Sequence, residues 1–155
     1  MDPFELLKQD HNKVKGLFRE YADAGDRAYK TKERIARTVF EELAIHETIE
    51  EEIFYPAVKE GASKEGVEAV LEGYEEHHVM DLLMGELSEM SAADESYDAK
   101  FKVLTENVEH HIEEEEGDMF PVARKALAGS EDDVGDRMMA LKEELTRAPA
   151  REAAS

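Results

Sequence analysis

One set of polar residues recurs in this chain at a fixed distance, where a helical protein should carry apolar ones. His46, Glu50 and Pro56 lie in HETIEEEIFYP, and His111, Glu115 and Pro121 lie in HIEEEEGDMFP. Positions 46 and 111, 50 and 115, and 56 and 121 are each 65 apart. A lone histidine leads each copy, His11 after Asp10 and His77 after Glu76. Residues four apart on a helix are separated by about 40° of rotation and about 6 Å of rise, so His-x-x-x-Glu aims both side chains at one point. An isolated ionised carboxylate in a core costs on the order of several kcal/mol, so two of them need a compensating cation. This pattern points to a helical bundle with a metal site inside it.

The apolar residues around these positions follow the helical period. The first stripe is Phe4, Leu7, His11, Val14 and Phe18, opened by the cap signals Asp2, Pro3 and Glu5. A loop is expected at 22–26, with Thr31 a candidate cap for the next helix, whose stripe is Val39, Leu43, His46, Glu50 and Ile53. Gly61 ends that helix and Ser63 restarts the chain. The third stripe is Val70, Tyr74, His77, Met80, Met84 and Leu87, followed by a polar connection at 91–96. The fourth is Phe101, Leu104, Val108, His111, Glu115, Met119 and Val122, closed by Gly129. Ser130 with Asp133 is expected to cap a fifth helix carrying Val134, Met138, Leu141 and Leu145.

Short connections make successive helices antiparallel. The expected fold is all-α: an up-down-up-down four-helix bundle with an additional C-terminal helix, over residues 1–147. A small, polar and disordered tail is expected at 148–155. Pro56 and Pro121 lie late in their helices and leave the carbonyls of Glu52 and Gly117 without helical donors. Each ligand-bearing helix should therefore loosen just past its glutamate.

The net charge of −20 disfavours binding to nucleic acid or an anionic membrane. No apolar run is long enough to span a bilayer, and the charged start does not read as a signal peptide, so a cytoplasmic location is expected. The chain has no cysteine, which leaves histidine, carboxylate and tyrosine as metal donors. Two six-coordinate ions offer twelve positions. Four histidines fill four, two bridging glutamates fill four, and an oxo or hydroxo bridge fills two, leaving one position per metal. Iron suits this mixed nitrogen and oxygen set best, with manganese or zinc as alternatives.

A single histidine on an apolar stripe is more often a core residue, and a single acidic run is usually a solvated face. Repetition in register on all four stripes decides for His11, His46, Glu50, His77, His111 and Glu115 as ligands. His78 and His110 lie one residue off their stripes and are expected at the surface, as are Glu51, Glu52, Glu113 and Glu116. Met80, Met84 and Met119 read as packing.

At these residues the chain resembles the hemerythrin-like family of HHE cation-binding domains, whose pattern is His, His-x-x-x-Glu, His, His-x-x-x-Glu. The resemblance runs from residue 4 to about 125. It implies a four-helix bundle around a non-haem di-iron centre with a bridging oxo or hydroxo. Oxygen-carrying members have a further histidine four residues before the one matching His77; here that position is Gly73. The resemblance therefore implies a more open or carboxylate-richer centre and argues against reversible oxygen storage.

Glu47, Tyr55 and Asp81 each stand opposite a different residue type in the repeat, namely Ile112, Phe120 and Lys15. Any of them is a candidate additional ligand or supporting group. The iron-sensing relatives use a carboxylate at the position of Glu47. The plainer reading, preferred at this stage, makes Glu47 and Asp81 surface acids and Tyr55 a packing residue. The resemblance to short bacterial members suggests reaction with hydrogen peroxide, oxygen or nitric oxide, foremost catalase-like disproportionation of peroxide. The alternative is an oxygen- or iron-binding or sensing module without turnover.

Overall fold

In the computed structural model, residues 1–154 have a described backbone and residues 1–147 described side chains. Seven α-helices follow one another: α1 (Pro3–Asp23), α2 (Tyr29–Ile49), α3 (Tyr55–Gly61), α4 (Lys64–Ser88), α5 (Tyr97–Glu114), α6 (Phe120–Ala126) and α7 (Glu131–Ala154). Wider π turns, Glu50–Phe54 and Glu115–Met119, join α2 to α3 and α5 to α6 as continuous rods. The bundle is thus α1, the α2–α3 rod, α4 and the α5–α6 rod, with α7 packed against α1 and α2. The disordered tail expected at 148–155 falls outside the residues described in full.

The π turns have a local cause. Proline at 56 and 121 offers no N–H to the carbonyl four residues back. The N–H groups of Tyr55 and Phe120 reach instead to Glu50 and Glu115, five residues back. One extra residue enters the turn beginning at each glutamate. The loosening expected from the two prolines takes this form.

Helix starts differ in part from the sequence reading. The Asp2 carboxylate accepts from the N–H of Phe4 at 2.8 Å and caps α1 as expected. Thr31 caps nothing: the cap position of α2 is Ala28, three residues earlier, and it makes no side-chain cap hydrogen bond. The Ser130 hydroxyl donates backward to the carbonyl of Leu127 rather than accepting from the first turn of α7. Gly129, at φ +90°, makes the turn that lets α7 fold back, a conformation costly for other residues.

Two apolar clusters fill the bundle, one on each side of a polar layer. One holds Val14, Phe18, Ile35, Val39, Leu43, Met80, Met84, Leu104 and Val108. The other holds Phe4, Leu7, Ile49, Phe54, Val58, Val70, Met119 and Phe120, with Val134 and Met138 of α7 completing it. The rings of Phe4, Phe54 and Phe120 meet edge-on with centroids 5.1–6.2 Å apart, a geometry favoured by the ring quadrupole. The polar layer between the clusters is where the repeated histidines and glutamates meet. No helix among the described residues is long and apolar enough to cross a membrane.

Candidate metal centre

His11 comes from α1, His46 from α2, His77 from α4 and His111 from α5, while Glu50 and Glu115 open the two π turns. All six are buried, Glu50 to 0 % exposure. Their donor atoms fall into two groups, His11–His46–Glu115 and Glu50–His77–His111, each with its atoms within 4.8 Å of one another. Glu50 Oε1 lies 2.9 Å from His77 Nε2 and 3.2 Å from His46 Nε2. Glu115 places Oε1 3.1 Å from His11 Nε2 and Oε2 3.2 Å from His111 Nε2. Each glutamate therefore touches both groups, as a bridging carboxylate would.

Every imidazole turns Nε2 inward and Nδ1 toward a carboxylate. His11 Nδ1 pairs with Glu116 at 2.6 Å, and His46 Nδ1 with Asp10 at 2.9 Å. His77 Nδ1 pairs with Glu51 at 2.9 Å, and His111 Nδ1 with Glu76 at 2.6 Å. Such a partner accepts the Nδ1 proton, fixes the tautomer and leaves the Nε2 lone pair free for a cation. These outer acids repeat with the histidines. Asp10 and Glu76 directly precede His11 and His77, and Glu51 and Glu116 directly follow Glu50 and Glu115.

The residues fit a metal. The Nε2 atoms of His46 and His111, Oε2 of Glu50 and Oε1 of Glu47 are buried without a hydrogen-bond partner. The 3.2 Å contacts of the two Nε2 atoms lack hydrogen-bond alignment. Four stranded polar atoms around one polar layer are costly unless a cation completes them. In the ion-free protein, burial disfavours charge on His46, but Glu50, Asp10 and Glu115 outweigh it and raise its pKa well above the ordinary value. Burial likewise opposes charging of His111, and Glu115, Glu50 and Glu76 overcome it. Burial works to raise Glu50, yet the histidines around it hold it well below the usual carboxylate range.

The structure corrects the plainer readings of several residues. Tyr55 is fully buried, and its hydroxyl donates to Glu115 Oε2 at 3.0 Å and lies 3.5 Å from His77 Nε2. On an unbroken α-helix Tyr55 would be about 180° round from His46. The extra residue of the π turn removes roughly 100° of that and swings the phenol into the polar layer. Gly73 makes the space: a Cβ there would meet Tyr55 Oη at 2.7 Å and Cζ at 2.9 Å.

Glu47 is not a surface acid; it is 4 % exposed, with Oε1 3.9 Å from His77 Nδ1. Burial first, then a hydrogen bond with Asp81, pushes its pKa up to about 10. Asp81 itself is exposed. Glu51 and Glu116, expected as plain surface acids, are half-buried partners of His77 and His11. His78, His110, Glu52 and Glu113 face solvent. The sequence signal for the outer acids was present, since they recur at the same offsets as the ligands. Lys142 of α7, which pairs with Asp10 Oδ1 at 2.5 Å, had no such signal.

A cavity of about 60 Å³ reaches the layer between α4 and the α5–α6 rod. It touches His111 and Glu115 and is otherwise lined by Ala69, Glu72, Glu76, Glu114, Asp118 and Met119. A space of that size takes a few water-sized molecules.

A helical bundle with two histidine–carboxylate groups buried at its centre is a metal-binding bundle domain. The chain belongs to the hemerythrin HHE cation binding domain family, which it matches over residues 2–123. It is 30 % identical over 154 residues to the uncharacterized protein Rv2633c of Mycobacterium tuberculosis, covering 96 % of this chain and 90 % of that one. It is 28 % identical over 127 residues to an uncharacterized hemerythrin-like protein of Schizosaccharomyces pombe and to a Nostoc protein named DNA nickase. Each match covers 82 % of this chain but only 62 % and 35 % of those proteins' lengths, respectively. The fold matches the crystal structure of a Mycobacterium kansasii homolog of Rv2633c, a hemerythrin HHE cation binding domain-containing protein. The TM-score is 0.84 at 22 % identity, covering 100 % of this chain and 93 % of that one.

Proposed function

We propose that this chain is a non-haem di-iron protein that disproportionates hydrogen peroxide. One iron would be held by His11 and His46 and the other by His77 and His111, with Glu50 and Glu115 shared and Tyr55 beside the second position. Two iron ions bound there supply paired redox equivalents and Lewis acidity toward a small oxygen ligand.

The observation that carries this reading is the exchange at Gly73. Oxygen-carrying members have a histidine there, whereas here the glycine yields its space to the phenol of Tyr55. The Tyr55 phenol, hydrogen-bonded to Glu115, takes the space that a neutral nitrogen donor would fill. With one nitrogen donor fewer, the carboxylates Glu50 and Glu115 make up a larger share of the donor set, which favours the ferric state and works against reversible oxygen release.

The protein's own groups prepare the rest. The outer acids hold the four Nδ1 protons and keep Nε2 free. The Tyr55 hydroxyl keeps a proton at Glu115 Oε2, 3.0 Å away, within reach of a ligand in the layer. Phe4, Phe54 and Phe120 on one side, and Val108 with Leu104 on the other, exclude bulk water. The small cavity beside His111 and Glu115 suits a substrate of peroxide size and excludes larger ones.

Oxygen evolution from hydrogen peroxide by the iron-loaded protein tests this. The expected result is two irons per chain, sustained oxygen release and no reversible oxygenated spectrum when the reduced protein is cycled between oxygen and argon. A reversible oxygenated band without peroxide turnover overturns the reading in favour of an oxygen-binding module. Two bound irons with neither behaviour would point to nitric oxide chemistry or iron sensing.

A further inference from the structure

Asp10 stands between a buried histidine and a lysine from outside the four-helix bundle. Its Oδ2 accepts from His46 Nδ1 at 2.9 Å, and its Oδ1 accepts from Lys142 Nζ at 2.5 Å. Lys142 belongs to α7, which lies beyond the family match at residues 2–123. It is held in place because Val134 and Met138 of α7 are buried in the apolar cluster that holds Phe4 and Phe120. The repeat sets up a direct comparison. Glu76 holds His111 Nδ1 at 2.6 Å, as Asp10 holds His46, yet among the described residues no lysine or arginine pairs with Glu76. Nor does one pair with Glu51 or Glu116, the acids on His77 and His11. The half of the centre around His77 instead has the Tyr55 hydroxyl beside His77 Nε2 and Glu47 near its Nδ1.

An acid on Nδ1 strengthens an imidazole as a donor by taking up charge as Nε2 gives it to a metal. A cation on that acid withdraws the same charge and repels the metal. His46 is therefore the poorer donor of the pair His46 and His111. We propose that Lys142 is a positioning residue that makes the two metal positions unequal, acting through Asp10 to weaken cation binding at His11–His46–Glu115 relative to Glu50–His77–His111. This rests on the reading of the centre as a two-metal site. Loading is then ordered: the His77–His111 position fills first, and a one-metal form has its vacancy beside α7.

The test is a titration of the ion-free full chain with zinc alone, so that no redox change enters. Long-range proton–nitrogen spectra of the histidine rings assign each step to a position. In the unaltered protein the ring nitrogens of His77 and His111 should shift in the first step and those of His11 and His46 in the second. Lys142→Met should tighten the second step by about tenfold, the lower end of what an altered outer partner does to metal affinity, and leave the first unchanged. Lys142→Arg, which keeps the charge, should titrate like the unaltered chain.

Because loss of the pair could also loosen α7, a second comparison is made in an Asp10→Asn background. There Lys142→Met should not change the second step, since the group it acts through is gone. Two-step uptake that Lys142→Met leaves unchanged or weakens overturns the inference alone. A change of similar size in the Asp10→Asn background does so too. Failure of the unaltered chain to take up zinc at either position overturns the two-metal reading and the inference with it.

Discussion

Replacing Gly73 by alanine should expel the Tyr55 phenol from the polar layer. The new Cβ would lie 2.7 Å from Tyr55 Oη, 2.9 Å from Cζ and 3.2 Å from Cε2. Real Cβ contacts rarely come so close, and the ring cannot retreat easily. It is fully buried, stacked on His77 at 5.5 Å and edge-on to Tyr74 at 5.2 Å. Overpacking of this kind costs about 1–3 kcal/mol. The lost hydrogen bond to Glu115 would add about 1.5–3 kcal/mol where that carboxylate stays charged. For a chain of this size the sum corresponds to a fall in Tm of roughly 5–25 °C. The assay is thermal unfolding of Gly73→Ala, Tyr55→Phe and the double variant, with and without metal. Removing Oη relieves the shortest contact, so alanine should cost less in the Tyr55→Phe background than alone. A Gly73→Ala chain that melts within about 1 °C of the parent, or identical costs in both backgrounds, would refute the packing argument.

His77→Ala should reduce bound metal well below two per chain, whereas His78→Ala, at an exposed position, should leave it intact; metal analysis of the purified variants decides. Chelation should lower the melting temperature, because it restores the stranded atoms of His46, His111 and Glu50; equal melting with and without metal would count against the site. Metal uptake near neutral pH should release protons, measurable in weakly buffered solution. His46 and His111 have raised pKa values in the ion-free fold, so the stability they lend it is present at low pH and is lost as pH rises through those values, while metal binding strengthens over the same interval. At the far end of the bundle, the Tyr21 hydroxyl chiefly, with Lys32, holds Asp98 below its ordinary pKa of 3.8. Its contribution is present above that value and lost as pH falls through the lowered one. Since Asp98 is largely exposed, Asp98→Asn should cost under about 1 kcal/mol at pH 7 and flatten the acid arm of the stability profile.

The five helical rods, the bundle and the meeting of four histidines with two glutamates were legible in the sequence because each depends on local periodicity. A 3.6-residue repeat decides which side chains share a face, and residues on the inner faces of neighbouring antiparallel helices must meet. The prolines were legible too, because a missing N–H acts on a carbonyl four residues away. Glu51 and Glu116 were misread as surface acids, although they repeat with the ligands. Periodicity gives a residue's direction but not whether a histidine from another helix lies within 3 Å of it.

Tyr55 shows the limit most clearly. An unbroken helix points it away from His46, and only the extra residue of the π turn brings it round into the layer. Only the packing of α4 against that turn makes Gly73 the space it occupies. Lys142 lies still further from what a pattern can carry. Its approach to Asp10 joins residues 132 positions apart. It depends on the angle at which Gly129 returns α7 and on the seating of Val134 and Met138 against the bundle. Local sequence determined which groups face inward; the three-dimensional packing decided which of them touch, because contact distance depends on the relative placement of whole helices.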